Sequence, residues 1–307
     1  MQDVSTGNGR LGPEADKAFQ PLTSAAMTVD TQIAHLSYQM RTATQRYLTM
    51  PLERTLLRLW QRRMPFSHSI ERLGLPRKAA LETLGEALTV HVNPRQLIRI
   101  IDWPARRDCA FNAFIWDGQW DLKREDLRLG DRYRFISDID EHRDHLERTE
   151  RYQRYLNQLR QGKPARFRQL GIQLDSPAMI KRYLEVYLGF LDNMAQHGFQ
   201  RDKGKDELGV AISREGRLIK VNKGLHRLAM AQRIGLASVP VRVQWVHREW
   251  WHTVTRGAQG EKALARVKDA FRRCTPELNP GPYDAETSAS LADDFWPAPR
   301  GIAARTS

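Results

Sequence analysis

Lys223-Gly224-Leu225-His226-Arg227 places two cations, a histidine and a glycine within five residues. A glycine turn that opens a helix is a ready anion site, because backbone N–H groups without intrahelical acceptors and the helix dipole point at it. Gly224 lets a phosphate approach the backbone. Arg227 offers a planar two-pronged grip, and Lys223 can neutralise phosphate charge. His226 can donate to a phosphate or exchange a proton near neutral pH. The structural alternative is that His226 and Arg227 steady the helix start and hold a carboxylate of the protein itself.

A second group of residues surrounds Asp121. Phosphoryl transfer needs a carboxylate to orient or deprotonate an acceptor hydroxyl, or to hold a divalent ion. Asp117 and Asp121 flank Gly118 and Trp120, and Trp120 has a face on which a sugar or base can stack. The plainer reading is a strand-end turn with two solvated aspartates. Asp206 and Glu207 are spare carboxylates ahead of a strand. His247, with Trp250 and Trp251, either closes a site or forms a packing lid. His142 and His145 lie in a highly charged run and read as a solvated face.

The elements that must position these groups are legible in the hydropathy pattern. Leu208, Val210 and Ile212 alternate as a half-buried strand does. Arg214, Glu215 and Gly216 form a turn, and Arg217 to Val221 is a second strand. The Gly224 turn opens a helix carrying Leu228, Ala231 and Ile234, which Gly235 stops. Val239, Val241, Val243 and Trp245 alternate again. Further strands fall near 88–94, at 95–102 (strand or short helix) and at 111–116. Ser176 and Pro177 open a strong helix over 176–197. The segment 69–88 reads as helix, turn, helix, a shape shared by DNA-reading pairs and ordinary helical hairpins.

The expected organisation is a flexible arm (1–28), a helical segment (29–87) broken near Pro51, a core (88–255) with a helical insertion at about 138–200, a helix (256–274) and a tail (275–307). Arg54, Arg58 and Arg62 form a row on one helical face, which suits either solvent or an anionic membrane surface. The formal net charge of +13 favours acidic partners, with nucleic acid among the possibilities. No apolar run approaches the ~20 residues of a membrane span. Two cysteines in 307 residues give no disulfide framework, and a cytoplasmic location is the default expectation.

Residues 207–247 resemble the ParB/sulfiredoxin superfamily. The resemblance is carried by Gly224-Leu225-His226-Arg227, by the alanine-containing helix ending at Gly235-Leu236, and by Val239-Pro240-Val241. Upstream, Leu88 to Pro94 resembles the superfamily's entry strand. Phe114 to Asp121 resembles a Gly-X-Trp-Asp motif of an uncharacterised bacterial branch often linked to surface-polysaccharide genes. The resemblance implies an α/β fold with a small mixed-sheet core. It also implies nucleotide binding, with ATP or another nucleoside phosphate and Mg²⁺ at Lys223, Gly224, His226 and Arg227.

The chain departs from the superfamily at informative points. Sulfiredoxins carry their catalytic cysteine where Leu225 stands here. Partition ParB proteins carry Gly-X-Arg-Arg and a DNA-binding domain after it, which the sequence beyond His247 does not resemble. The superfamily's free-serine kinases are more similar, yet they often have Asp where Lys223 stands. The leading expectation is a phosphotransferase acting on a small hydroxyl compound or surface-sugar intermediate. Asp121 and His226 are then the catalytic candidates, and Trp120 and His247 contact the substrate. The alternatives are a nucleotide-gated or DNA-binding regulator, and a non-catalytic scaffold in polysaccharide assembly. The sequence leaves the oligomeric state open.

Overall fold

A computed structural model describes residues 17–23, 36, 40, 49–102, 112–168, 170–204, 207–284 and 295–299. It is an α/β fold. The strands are β1 (Thr89–Val92), β2 (Arg99–Ile101), β3 (Ile115–Trp116), β4 (Arg124–Asp126), β7 (Leu208–Ile212), β8 (Arg217–Lys220), β9 (Val239–His247) and β10 (Thr275–Pro276). They form one mixed sheet in the order β1-β9-β7-β8-β2-β4, with β3 also on β9 and β10 also on β8. Thus the strand at 89–92 joins the 208–247 strands, more than a hundred residues away, by antiparallel pairing with the first half of β9. A separate hairpin pairs β5 (Arg166–Phe167) with β6 (Ile172–Gln173).

One face of the sheet carries Leu208, Val210, Ile212, Leu218, Val239, Val241 and Val243 into the main core. The helices on the chain's path are α1 (Met50–Gln61), α2 (Ser67–Arg72), α3 (Arg77–Leu84), α4 (Asp131–Glu141), α5 (Glu150–Arg160), α6 (Pro177–His197), α7 (Leu225–Ile234), α8 (Arg248–Thr255) and α9 (Gly260–Phe271). Ser176 caps α6 by accepting from the Met179 amide, and Gly198 ends it at a φ of 71°. Helices α4, α6 and α7 pack on one another, and Arg233 of α7 pairs with buried Asp140 of α4 at 2.7 Å. Such an ion pair fixes how two helices meet more than it adds stability.

The opposite face carries a small tryptophan cluster. Trp116 stacks on Trp245 with ring centroids 4.1 Å apart, and Trp120 meets both edge-on. Ile101, Ala113, Ala211, Ile219 and Val221 complete it. The sequence alternation puts Trp245 on the same face as Val243. The structure differs, because the β7–β9 register shifts by one residue: Val210 faces Val243, but Ala211 faces Trp245. The extra residue, Gln244, is a bulge that turns Trp245 to the other face.

Two further expectations, for the arm and the tail, are corrected. Within the expected flexible arm, Phe19 and Leu22 are buried, and Phe19 packs on Tyr183, Tyr187 and Phe190 of α6; the rest of the arm lies outside the described residues. Pro51 sits in the first turn of α1, where its missing N–H has no helical acceptor to lose, and most of the expected helix before it lies outside the described residues. The expected tail is not a passive extension. Residues 275–276 add a parallel strand beside β8, and Glu277, Leu278 and Asp284 anchor the following stretch through buried arginines. Phe295 and Trp296 pack on Tyr133.

Candidate functional site

Gly224 adopts a left-handed conformation (φ 71°, ψ 28°) at the start of α7, and no side chain caps that helix. A Cβ at this position would lie 2.9 Å from Leu208 Cδ2 and 3.1 Å from the Glu207 carbonyl oxygen. The glycine therefore lets the turn lie against the entry of β7. Lys220, which is fully buried, ties the turn from beneath. Its Nζ donates to the Val221 carbonyl at 2.5 Å and to the Lys223 carbonyl. Sequence reasoning did not single out Lys220. The available signal was a lysine inside the apolar run Leu218-Ile219-Lys220-Val221.

Beside the turn is a shallow, open depression with room for about one water molecule. Its walls include Phe199, Arg201, Glu207, Arg227 and Arg242. Arg227 lies 4.0 Å over the Phe199 ring and donates to the Gln200 carbonyl. Arg201 pairs with Glu86 at 3.0 Å and with Glu207 at 3.5 Å. Arg242 pairs with Glu207 at 3.2 Å. Two guanidinium groups, Arg201 and Arg242, thus converge on the Glu207 carboxylate at the edge of the Gly224 turn, and Arg227 lines the same depression.

The neighbours of Gly224 point in different directions. Lys223 Nζ donates to Gln244 Oε1, the bulge residue of β9, at 3.1 Å. His226 packs against Tyr187 and Phe135 with centroid separations of 5.1 and 6.1 Å. Burial, reinforced by Arg132 and Arg151, pushes its pKa down to about 3. It is therefore neutral at pH 7 and faces the helices rather than the depression. That removes the charge an imidazolium would bring to a phosphate.

Asp121 is placed elsewhere. Its side chain is fully buried beyond the other end of β7, where Arg214 Nη2 donates to Oδ1 at 2.8 Å and the Arg214 amide donates to Oδ2 at 2.8 Å. Burial alone would raise its pKa, but the hydrogen bonds from Arg214 win and hold the carboxyl below the ordinary range. His247 sits 3.7 Å from Asp121. Its Nδ1 accepts from the Glu249 amide, so its Nε2 carries the proton and donates to the Gly118 carbonyl at 3.0 Å. Trp120 is buried in the tryptophan cluster, and its Nε1 has no hydrogen-bond partner among the described residues.

The sequence-derived residues therefore fall into two sets that the fold does not join. Arg227 lines the depression with Glu207, and Gly224 lies against Glu207 and Leu208 at its edge. Asp121, Trp120 and His247 are locked together at the far end of β7 and β9, enclosed by protein. Asp117 is exposed and pairs with Arg248 at 2.8 Å. Asp206 and Cys109 lie outside the described residues. Cys274 is buried, and burial pushes its thiol up to about 12. His142 pairs with Asp138 and His145 with Glu147, as a solvated face does. Arg77, at the start of the second helix of the helix-turn-helix segment, lies 5.5 Å over the Trp245 ring, not out on a recognition surface. Among the described residues no helix is long and apolar enough to cross a membrane.

Comparison of the chain with family models, curated proteins and solved structures returns no match.

Proposed function

We propose that this protein binds a nucleoside phosphate at the depression beside the Gly224 turn and uses it in phosphoryl transfer to a small hydroxyl compound. One observation carries the reading: Arg201 and Arg242 pair with Glu207, and Arg227 lines the same depression, beside the uncapped start of α7. Phosphoryl transfer is mostly positioning and charge neutralisation, and it requires little else of a protein. An incoming phosphate competes with Glu207 for Arg201 and Arg242. The freed carboxylate then lies next to the phosphate, where it can accept the proton of an acceptor hydroxyl.

In this scheme Glu207 takes the role that the sequence pattern offered to Asp121. Asp121 is fully enclosed and already bound on both oxygens by Arg214. Arg227 both flanks the phosphate and holds the 199–204 segment in place. His226 supports the turn from the helical side as a neutral ring. Trp120 and His247 have no surface to offer a substrate.

Mg²⁺ fits as a helper, since it commonly binds through one or two carboxylates and the phosphates themselves. Among the described residues no group of three metal-ligating side chains occurs, so the metal would arrive with the nucleotide and use Glu207 as its protein ligand.

The test is calorimetric titration of ATP and ADP with and without Mg²⁺, followed by a search for phosphorylated hydroxyl acceptors. Binding that weakens in Arg242→Ala, with transfer lost but binding kept in Glu207→Gln, is the expected pattern. Absence of binding by any nucleoside phosphate would overturn the proposal.

A further inference from the structure

The hairpin of α1 and α2 segregates its charges. Between Thr49 and Leu75 the only acids are Glu53 and Glu71, and both are buried. Glu53 accepts from the Lys78 and Ala79 amides, and Glu71 accepts from the indoles of Trp60 and Trp251. The charges left at the surface are all arginines: Arg54, Arg58, Arg62, Arg63 and Arg72. Arg54 pairs with Glu82. The other four have no carboxylate within ion-pair reach among the described residues. The nearest part of α9 sets Gly260 against Gln61 and brings Glu261 and Lys262, one charge of each sign.

Large apolar side chains stand among these arginines. Phe66 is 81% exposed, Leu73 78% and Met64 45%. The Met64 amide donates to the carbonyl of Leu59 in the last turn of α1. Phe66 and Leu73 flank the two ends of α2 as its N-cap and C-cap residues. The connection is held in an unfavourable backbone: Arg63 and Phe66 have φ values of 54° and 76°. Left-handed φ is uncommon for residues other than glycine and is an outlier for a bulky one. Here it presents Phe66 to solvent, so no burial within the chain compensates for it.

We propose that this hairpin is a docking surface for an anionic lipid bilayer, with Met64, Phe66 and Leu73 entering the interface and Arg58, Arg62, Arg63 and Arg72 meeting the headgroups. Interfacial binding scales with the apolar area inserted and with attraction to anionic lipid, and both are present in one surface. The charge segregation favours a bilayer over a second copy of this chain. Two copies meeting through this surface would oppose four arginines to four arginines.

Co-sedimentation of the full chain with vesicles of phosphatidylcholine alone, or mixed with phosphatidylglycerol, reads this directly. Binding to the mixed vesicles only, weakening as salt rises, is expected. Each of Arg58→Glu and Arg62→Glu should weaken binding about fivefold or more, since a basic residue near an anionic surface contributes about that factor. Phe66→Asn with Leu73→Ser should abolish binding and leave the thermal midpoint unchanged or raised, because asparagine tolerates left-handed φ. Equal binding to neutral vesicles, no binding to the anionic ones, or full binding by the double variant would overturn the proposal. So would self-association in light scattering that Phe66→Asn removes, because a second copy would then be the occupant.

Discussion

Asp121 and Gly224 stand at opposite ends of β7, about 20 Å apart along the strand direction at ~3.3 Å per residue. Gly224 rests on Glu207 and Leu208, where the strand begins, and Asp121 is held by Arg214 just after it ends. The separation divides the molecule into a depression at one end and a locked polar knot at the other. A carboxylate at Asp121 cannot touch a phosphate at the Gly224 turn.

Asp121→Asn should therefore cost stability and leave nucleotide affinity unchanged. The change takes the charge from a fully buried carboxylate and leaves Arg214 with Glu249 and the Gly118 carbonyl alone, at a cost of about 1–3 kcal/mol. Denaturant unfolding measures the first effect and calorimetric titration the second. A stable variant with altered affinity would mean that the two ends communicate.

At the depression, Arg242→Ala should weaken binding of a nucleoside phosphate by about tenfold or more, because a charge-assisted hydrogen bond contributes roughly 1.5–3 kcal/mol. Arg242 is the sharper probe than Arg227. Arg227 also packs on Phe199 and bonds the Gln200 carbonyl, so its loss would disturb the fold as well. Unchanged affinity in a folded Arg242→Ala protein would remove this arginine from the phosphate site.

His226 makes stability fall on the acid side. Its pKa is lowered from an ordinary 6.5 to about 3 in the fold. Between those values the unfolded chain binds the proton and the folded one does not, so stability declines as pH drops through this window. His226→Leu should flatten that part of the pH–stability curve in urea titrations. If the curve keeps its slope, the carboxylates account for it instead.

Much of the architecture could be read from the chain because it rests on local signals. The strands at 208–212, 217–220 and 239–247, the glycine stops at 198 and 235 and the Ser176 cap each follow from residue type and spacing. That the strand at 89–92 joins the same sheet followed from the need to cover sheet edges, whereas its pairing with β9 did not. The bulge at Gln244 carries no local signature, and it alone decides which face Trp245 takes. The site was legible at Gly224 and Arg227, whose turn chemistry is local. Glu207 stood out only as a spare carboxylate, and Arg201 and Arg242 not at all, because the three meet only through tertiary folding. Asp121 looked chemical because its neighbours Trp120 and Asp117 suggested a site, yet Arg214, ninety-three positions away, had already claimed it.

The C-terminal stretch yields the last prediction. Its composition, rich in proline, alanine and serine, suggests a dispensable tail, but residues 275–284 complete the sheet edge. Glu277 accepts from Arg124 Nη1 at 2.8 Å, and both side chains are more than nine-tenths buried. The Glu277 amide donates to the Leu218 carbonyl, and Arg99 donates to the Leu278 carbonyl. A chain cut after Cys274 takes Glu277 from Arg124 and the Leu278 carbonyl from Arg99, leaves them Glu215 and Asp126, and exposes the edge of β8. Breaking one such buried pair costs about 3–5 kcal/mol, comparable with much of a domain's ~5–15 kcal/mol of stability. The truncated protein should accumulate as insoluble material. A chain ending after Asp284 should stay soluble, because it keeps these contacts, and Glu277→Gln should lie between the two in thermal midpoint. A soluble, cooperatively unfolding protein ending at Cys274 would show that the stretch is ornamental after all.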